Sequence, residues 1–224
     1  MIIVLVGNIG TGKTVALMRQ IIIRGNAFKT ALTRGATKLP YKAIVNFNTL
    51  NIPYAQRIRA TDIIKERVIE TTMPNGKVTY KTKHVVNWEY WEDLRDNYHF
   101  DVFLDELNTT INSRDAMSIT NKLFSKWLFQ IRKILGSSEL NNIYIVTQHI
   151  NQIDINFVRM AHIIMECKKI PVNDEIIISL KHYADENAYQ CGESYATKVF
   201  FADSYFKFYD SYRLVKFGDD EEYI

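Results

Sequence analysis

Between the apolar run Ile2 to Val6 and a segment whose apolar residues recur at helical spacing lies the octet Gly7-Asn8-Ile9-Gly10-Thr11-Gly12-Lys13-Thr14. The run is β-branched and bounded by glycine, so it reads as a strand buried on both faces, where polar alternation is lost. Val15, Ala16, Leu17, Ile21 and Ile22 keep one apolar side on a helix from Lys13 to Arg24, with Gly25 and Asn26 as its stop. A strand, a glycine-rich turn and a helix in this register leave few alternatives. The pattern G-x-x-x-x-G-K-[ST] lets the backbone curl so that successive N–H groups converge on a phosphate, and the helix amino terminus adds the positive end of its dipole. Lys13 is then placed to neutralise β and γ phosphates, and the Thr14 hydroxyl to ligate Mg²⁺.

Further along, Lys42 to Phe47 reads as a second strand and Arg57 to Arg67 as a short helix. The clearest hairpin runs from Val68 to Met73, through Pro74-Asn75-Gly76, and back along Lys77 to Val86. An Asn-Gly pair between β-prone segments supplies the positive φ that such a turn needs. Trp88 to Asp96 is helical, and Phe100 to Leu104 is a third core strand. Ser118 to Leu135 is the longest amphipathic helix, burying Leu123, Trp127, Leu128, Ile131, Ile134 and Leu135 and closed by Gly136. Ile143 to Thr147 and His162 to Glu166 are the fourth and fifth strands. Glu175 to Tyr183 and Thr197 to Phe208 form a β extension. A chain of 224 residues without repeats or linkers reads as one domain over residues 1–217, elaborated by the basic hairpin at about 67–86 and followed by an acidic tail at 218–224.

A phosphate cradle of this kind needs a carboxylate on its Mg²⁺ side from a neighbouring strand, and Asp105, at the end of FDVFLDE, supplies it. Glu106, directly after it, is suited to accept a proton from an attacking water, which implies hydrolysis. The competing reading is that both acids simply favour the start of a helix. Gln148 follows the fourth strand, at the carboxyl edge where ligands of parallel sheets bind; it is a γ-phosphate sensor or an ordinary polar loop residue. His149 reads as a loop histidine.

The net charge of +3 hides a contrast. Residues 1–217 hold 28 basic and 21 acidic side chains, and Lys29 to His84 alone holds eleven basic against three acidic. Lys77, Lys81 and Lys83 share one face of the hairpin, which makes them either contacts for DNA phosphates or charges that blunt an edge strand. Two distant cysteines form neither a disulfide framework nor a zinc site, and a reducing compartment is expected. No apolar stretch approaches the length of a membrane span.

The order of P-loop, a second strand Ile44-Val45-Asn46-Phe47-Asn48, a strand ending Asp105-Glu106, a basic helix and a strand ending Thr147-Gln148 resembles the FtsK/HerA-type pumping ATPases. Within them the chain is most similar to zonula occludens toxin-like (Zot) phage proteins and to viral genome-packaging ATPases, over roughly residues 1–170. This resemblance implies an α/β fold, a P-loop NTPase of ASCE/RecA-like type with a mainly parallel central sheet in a three-layer sandwich. It implies ATP and Mg²⁺ as cofactors, Gln148 as sensor, and an arginine acting on the neighbouring subunit of a pentameric or hexameric homo-oligomeric ring. Arg132 matches that arginine, with Arg114 and Arg159 as alternatives. The implied partner is double-stranded DNA, moved into a capsid, with a capsid or membrane protein of the virion as a further contact. The implied location is the host cytoplasm or the packaging vertex. Zot-like proteins typically continue into a membrane span that this chain does not show, which favours packaging over extrusion. A small-molecule P-loop kinase and a nucleotide-switched assembly protein are the other readings.

Overall fold

The computed structural model describes residues 1–73, 78–106, 119–135, 141–153, 155–173 and 175–209, without the side chains of 60, 119–121, 132 and 156. The strands are β1 (Ile2–Val6), β2 (Tyr41–Val45), β3 (Ala55–Arg57), β4 (Ile64–Thr72), β5 (Val78–Val86), β6 (His99–Leu104), β7 (Ile143–Thr147), β8 (Ile163–Val172), β9 (Glu175–Tyr183) and β10 (Ala196–Phe201). The helices are α1 (Lys13–Thr33), α2 (Ala60–Ile63), α3 (Trp88–Asn97), α4 (Ile119–Leu135), α5 (Ile155–Arg159), α6 (Glu186–Cys191) and α7 (Asp203–Phe206).

Eight strands form one sheet in the order β10-β9-β8-β1-β7-β6-β2-β3. From β8 to β3 every pairing is parallel, whereas β9 and β10 run antiparallel as the terminal extension. The central strands are buried along their whole length, as their unbroken apolar sequence requires. One face packs against α3 and α4 through Trp91, Trp127, Phe124 and Phe100; the other is covered by α1 through Val15, Leu17, Met18 and Ile21. Here β7 lies between β1 and β6, so Asp105 belongs to the next strand but one from the phosphate-loop strand. The expectation of an adjacent strand is corrected.

Further boundaries depart from the sequence reading: the strand expected over Thr197 to Phe208 ends at Phe201 and gives way to α7 over Asp203–Phe206. Helix α1 does not stop at Gly25 but runs to Thr33, which makes it longer than α4. A Cβ on Gly25 would collide with the Tyr54 ring, so this glycine admits a neighbour, not a turn. The stop is at Gly35 (φ 71°), where Gly35 N–H bonds Leu32 O (3.1 Å) and Ala36 N–H bonds Ala31 O (2.9 Å), a Schellman closure. The proposed helix at Arg57 to Arg67 is helical only at 60–63. Ile64 pairs with Val86, and from there β4 and β5 form a separate two-stranded ribbon, longer than the hairpin read from sequence. The turn at 74–76, Lys77, Gly136 and the acidic tail lie outside the described residues.

Near the amino end of β6, Asp101 is fully buried and accepts bonds from Arg24 Nε (2.7 Å) and Nη2 (3.1 Å), Tyr41 Oη (2.8 Å) and Asn142 N (2.6 Å). A buried carboxylate that loses its cation costs about 3–5 kcal/mol. Arg24→Ala is expected to destabilise the fold by that amount in denaturant unfolding, with Arg24→Lys costing less. Equal stability of Arg24→Ala and wild type would show the pair to be dispensable.

Candidate functional site

The carboxyl ends of β1, β6, β7 and β8 meet at one edge of the sheet, and the octet emerges there from β1. Gly10 (φ 75°) and Gly12 (φ 86°) take left-handed backbone that side chains resist. A Cβ on Gly12 would also strike Ile178 of β9. Thus the β extension, absent from the motif, closes against its last glycine. Asn8 O gathers the loop: it accepts from Thr11 N (3.3 Å), Thr11 Oγ1 (2.8 Å) and Lys13 Nζ (2.8 Å). Ile9 is exposed at the tip. Helix α1 has Gly12 at its N-cap, with no side-chain cap and no acid in the first turn, so its amino terminus is left for an anion.

Thr14 Oγ1 donates to Asp105 Oδ2 at 2.6 Å, joining the cradle to β6 across the intervening strand. Burial pushes the Asp105 carboxyl above its ordinary range, opposed by the Thr14 bond and the Lys13 ammonium. Burial likewise lowers Lys13, against the pull of Asp105, Cys167 and Glu106. The hydroxyl and carboxylate side by side suit Mg²⁺, which keeps water and phosphate in most of its octahedron and takes one or two protein ligands. No group of three or more His, Cys, Asp or Glu among the described residues could hold a metal by itself.

Glu106 is half-buried and sits at φ 48°, a conformation that costs a non-glycine residue about 1–3 kcal/mol and is found where function fixes the backbone. Its N–H donates to Asp105 Oδ1 (3.0 Å). Asn46, buried just beyond β2, holds the preceding residue from the other side: Nδ2 donates to Asp105 O (2.8 Å) and Oδ1 accepts from Asp105 N (2.7 Å). This amide extends the β2–β6 ladder by one step and fixes where Glu106 begins. In the sequence, Asn46 stands out only as a polar residue ending an apolar strand.

Gln148 is half-buried, with Gly7, Asn8, Thr11 and His149 around one pocket of about 310 Å³. His149 begins a short 3₁₀ turn, its N–H donating to Gln152 Oε1 (3.3 Å). The structure therefore brings the octet, Asp105, Glu106 and Gln148 to one edge. Arg132 lies on α4, but its side chain is outside the described residues, as is the whole of Arg114; Arg159 is exposed at the end of α5. Lys81 and Lys83 are exposed on β5. The register places Lys83 opposite Arg67 and Lys81 opposite Ile69, so Arg67 joins their face, whereas Glu66, Glu70 and His84 occupy the other.

No family profile and no curated protein matches this sequence. The fold is similar to that of the N-terminal domain of zonular occludens toxin from Neisseria meningitidis, with 15% identity, a TM-score of 0.50, and coverage of 93% of this chain and 98% of that one. A genome packaging NTPase from Sulfolobus turreted icosahedral virus 2, solved with ATP-γS, aligns at 13% identity and TM-score 0.44 over 88% of this chain and 95% of its own. A KaiC-like protein from Pyrococcus horikoshii aligns at 13% and 0.41, over 89% and 84%. At such identities the likeness speaks for the fold. The chain has the α/β architecture of the P-loop NTPases, with its mostly parallel central sheet.

Proposed function

We propose that this chain is an ATP-hydrolysing motor that moves duplex DNA, packaging a viral genome as a ring of identical subunits. The observation that carries the reading is the 2.6 Å contact between Thr14 and Asp105, with Glu106 held in a left-handed turn directly after it. In this reading the loop amides and Lys13 bind the triphosphate, and Thr14 and Asp105 hold Mg²⁺, whose charge offsets that of the phosphates. Glu106 takes the proton of the attacking water, and Gln148 orients water or γ-phosphate. Arg132 acts on the site of the adjacent copy. No helix among the described residues is long and apolar enough to cross a membrane.

The DNA half of the proposal rests on the ribbon. Its root is anchored in the core by Ile63 and Val86, while Lys81, Lys83 and Arg67 carry charge on one exposed face. Phosphate contacts of this kind are independent of base sequence and sensitive to salt. Replacing Lys81 and Lys83 together by glutamate is expected to lower duplex affinity at least tenfold. The salt dependence of binding flattens by about one unit of slope per lysine, and ATP turnover without DNA is retained. Fluorescence anisotropy with a labelled duplex at several salt concentrations reads the first two effects, and particle mass with ATP and duplex reads assembly. Unchanged duplex affinity, together with a persistent monomer, would overturn the motor reading.

A further inference from the structure

The β4–β5 ribbon has a second face, and its outer half is bare. Alternation puts Val68, Val78 and Tyr80 on the side opposite Lys81 and Lys83, together with Glu66 and Glu70 and, among the described residues, no lysine or arginine. Glu66 stands 3.3 Å from His84 on the same side. At the root this side begins with Ile64 and Val86, packed into the core, but farther out Val68 is 63% and Tyr80 70% exposed. A two-stranded ribbon is marginal in water unless a further layer covers its apolar face.

A second bare face lies on the β extension. On the side of the sheet where α3 and α4 pack, the register aligns Ile170, Ile177 and Phe201 across β8, β9 and β10, with Lys168, Ser179 and Val199 in the next row. Helix α6 covers the end of this side, where Tyr189 stands edge-on to Tyr183. Beyond it Val199 is 63% and Phe201 54% exposed, with Ile170 and Val172 exposed beside them. The lysines of this side are Lys168 and Lys181. Of its acids, Glu166 is already held by Lys168 (3.0 Å) and the Tyr183 hydroxyl (3.1 Å), and Glu175 sits at the far rim.

An apolar sheet face is stable when a second layer packs on it, and patches of this kind on a soluble chain mark contact surfaces. The two faces complement each other in shape, both being pleated, and in charge, one bearing glutamates and the other lysines. They also lie toward opposite edges of the molecule: the ribbon leaves the main sheet after β3, the last strand at one edge, and the extension is the other edge. A contact between unlike surfaces so placed adds copies head to tail, and it makes a ring where the rotation closes. We propose that the Val68 and Tyr80 face of the ribbon packs on the β8–β10 face of the adjacent copy. The inference rests on the ring reading above and names the surfaces that build the ring. It also turns Lys81 and Lys83 away from the neighbouring subunit, which leaves their face for DNA.

Particle mass of the full chain with ATP, Mg²⁺ and duplex, followed against protein concentration, reads the contact. Tyr80→Ser and Val199→Glu each replace an exposed side chain, so the subunit keeps its fold, and each is expected to raise the concentration of half-assembly at least about tenfold. Cross-linking then identifies the two surfaces. With Cys191, the exposed native cysteine, replaced by serine, and Cys167 buried, copies carrying Tyr80→Cys mixed with copies carrying Val199→Cys should be joined by a short bismaleimide into a covalent dimer, whereas either kind alone should not. Assembly of both surface variants at the wild-type concentration, or cross-links within one kind alone, would overturn the docking and leave the ring standing. A wild-type chain that stays monomeric with ATP and duplex would overturn both.

Discussion

Lys13→Ala is expected to reduce ATP turnover by at least about 10²–10³-fold, the scale on which a preorganised charged donor to a transferring phosphoryl group acts. Lys13 is buried, and its ammonium lies within the field of Asp105 and Glu106 while bonding Asn8 O across the loop. No other lysine is buried among the described residues. In the proposed reading, this desolvated lysine is held ready for an anion that arrives beside it. Phosphate release in a coupled assay checks the loss, and tripolyphosphate affinity should fall with it. Asp105 keeps its bonds from Thr14 and from the Glu106 N–H when the ammonium is removed, so the far-ultraviolet spectrum of the variant should be that of wild type. Turnover within about tenfold of wild type would remove Lys13 from the chemistry.

The second large effect concerns Glu106. In the proposed reading Glu106→Gln keeps the shape and loses the base, so hydrolysis is expected to fall about 10²–10⁴-fold while ATP binding persists and the triphosphate accumulates uncleaved on the protein. The left-handed backbone at Glu106 sharpens this expectation, because such strained positions collect where function fixes the chain. Asn46→Ala tests the same element from behind. It leaves Asp105 N–H and C=O without their buried partner, costing about 1–3 kcal/mol for each unsatisfied group, and it loosens the peptide from which Glu106 departs. Its signature is slower turnover with nearly unchanged ATP affinity, whereas a purely structural role would lower the unfolding midpoint and leave the turnover of the folded fraction untouched. Steady-state turnover of Glu106→Gln at the wild-type rate would contradict the assignment.

Much of this site is legible in the sequence, since the octet, its strand and its helix are contiguous and each obeys local rules. Asp105, Glu106 and Gln148 follow from a simpler regularity, that ligands gather at the carboxyl ends of parallel strands. What local rules miss is contact between distant segments. Glycine ends helices, so Gly25 reads as a stop, and only Tyr54, far along the chain, explains it inside one. The segment after Arg57 favours helix locally and becomes strand because Ile64 through Thr72 find partners in β5. Asn46 pairs with a peptide group on β6, Ile178 closes on Gly12 from the β extension, and Arg67 joins the lysine face only through cross-strand register. Each of these depends on which strand lies beside which, and that order is a property of the assembled sheet.

In the proposed reading the Thr14–Asp105–Glu106 arrangement hydrolyses ATP in the service of moving DNA. Single-turnover phosphate release, with protein in excess over ATP and with Mg²⁺, measured with and without duplex DNA, tests it most directly. The predicted result is complete conversion of bound ATP to ADP and phosphate at a rate that duplex DNA increases and Glu106→Gln removes. Tight ATP binding with no phosphate released, or release that neither duplex DNA nor Glu106→Gln alters, would contradict it.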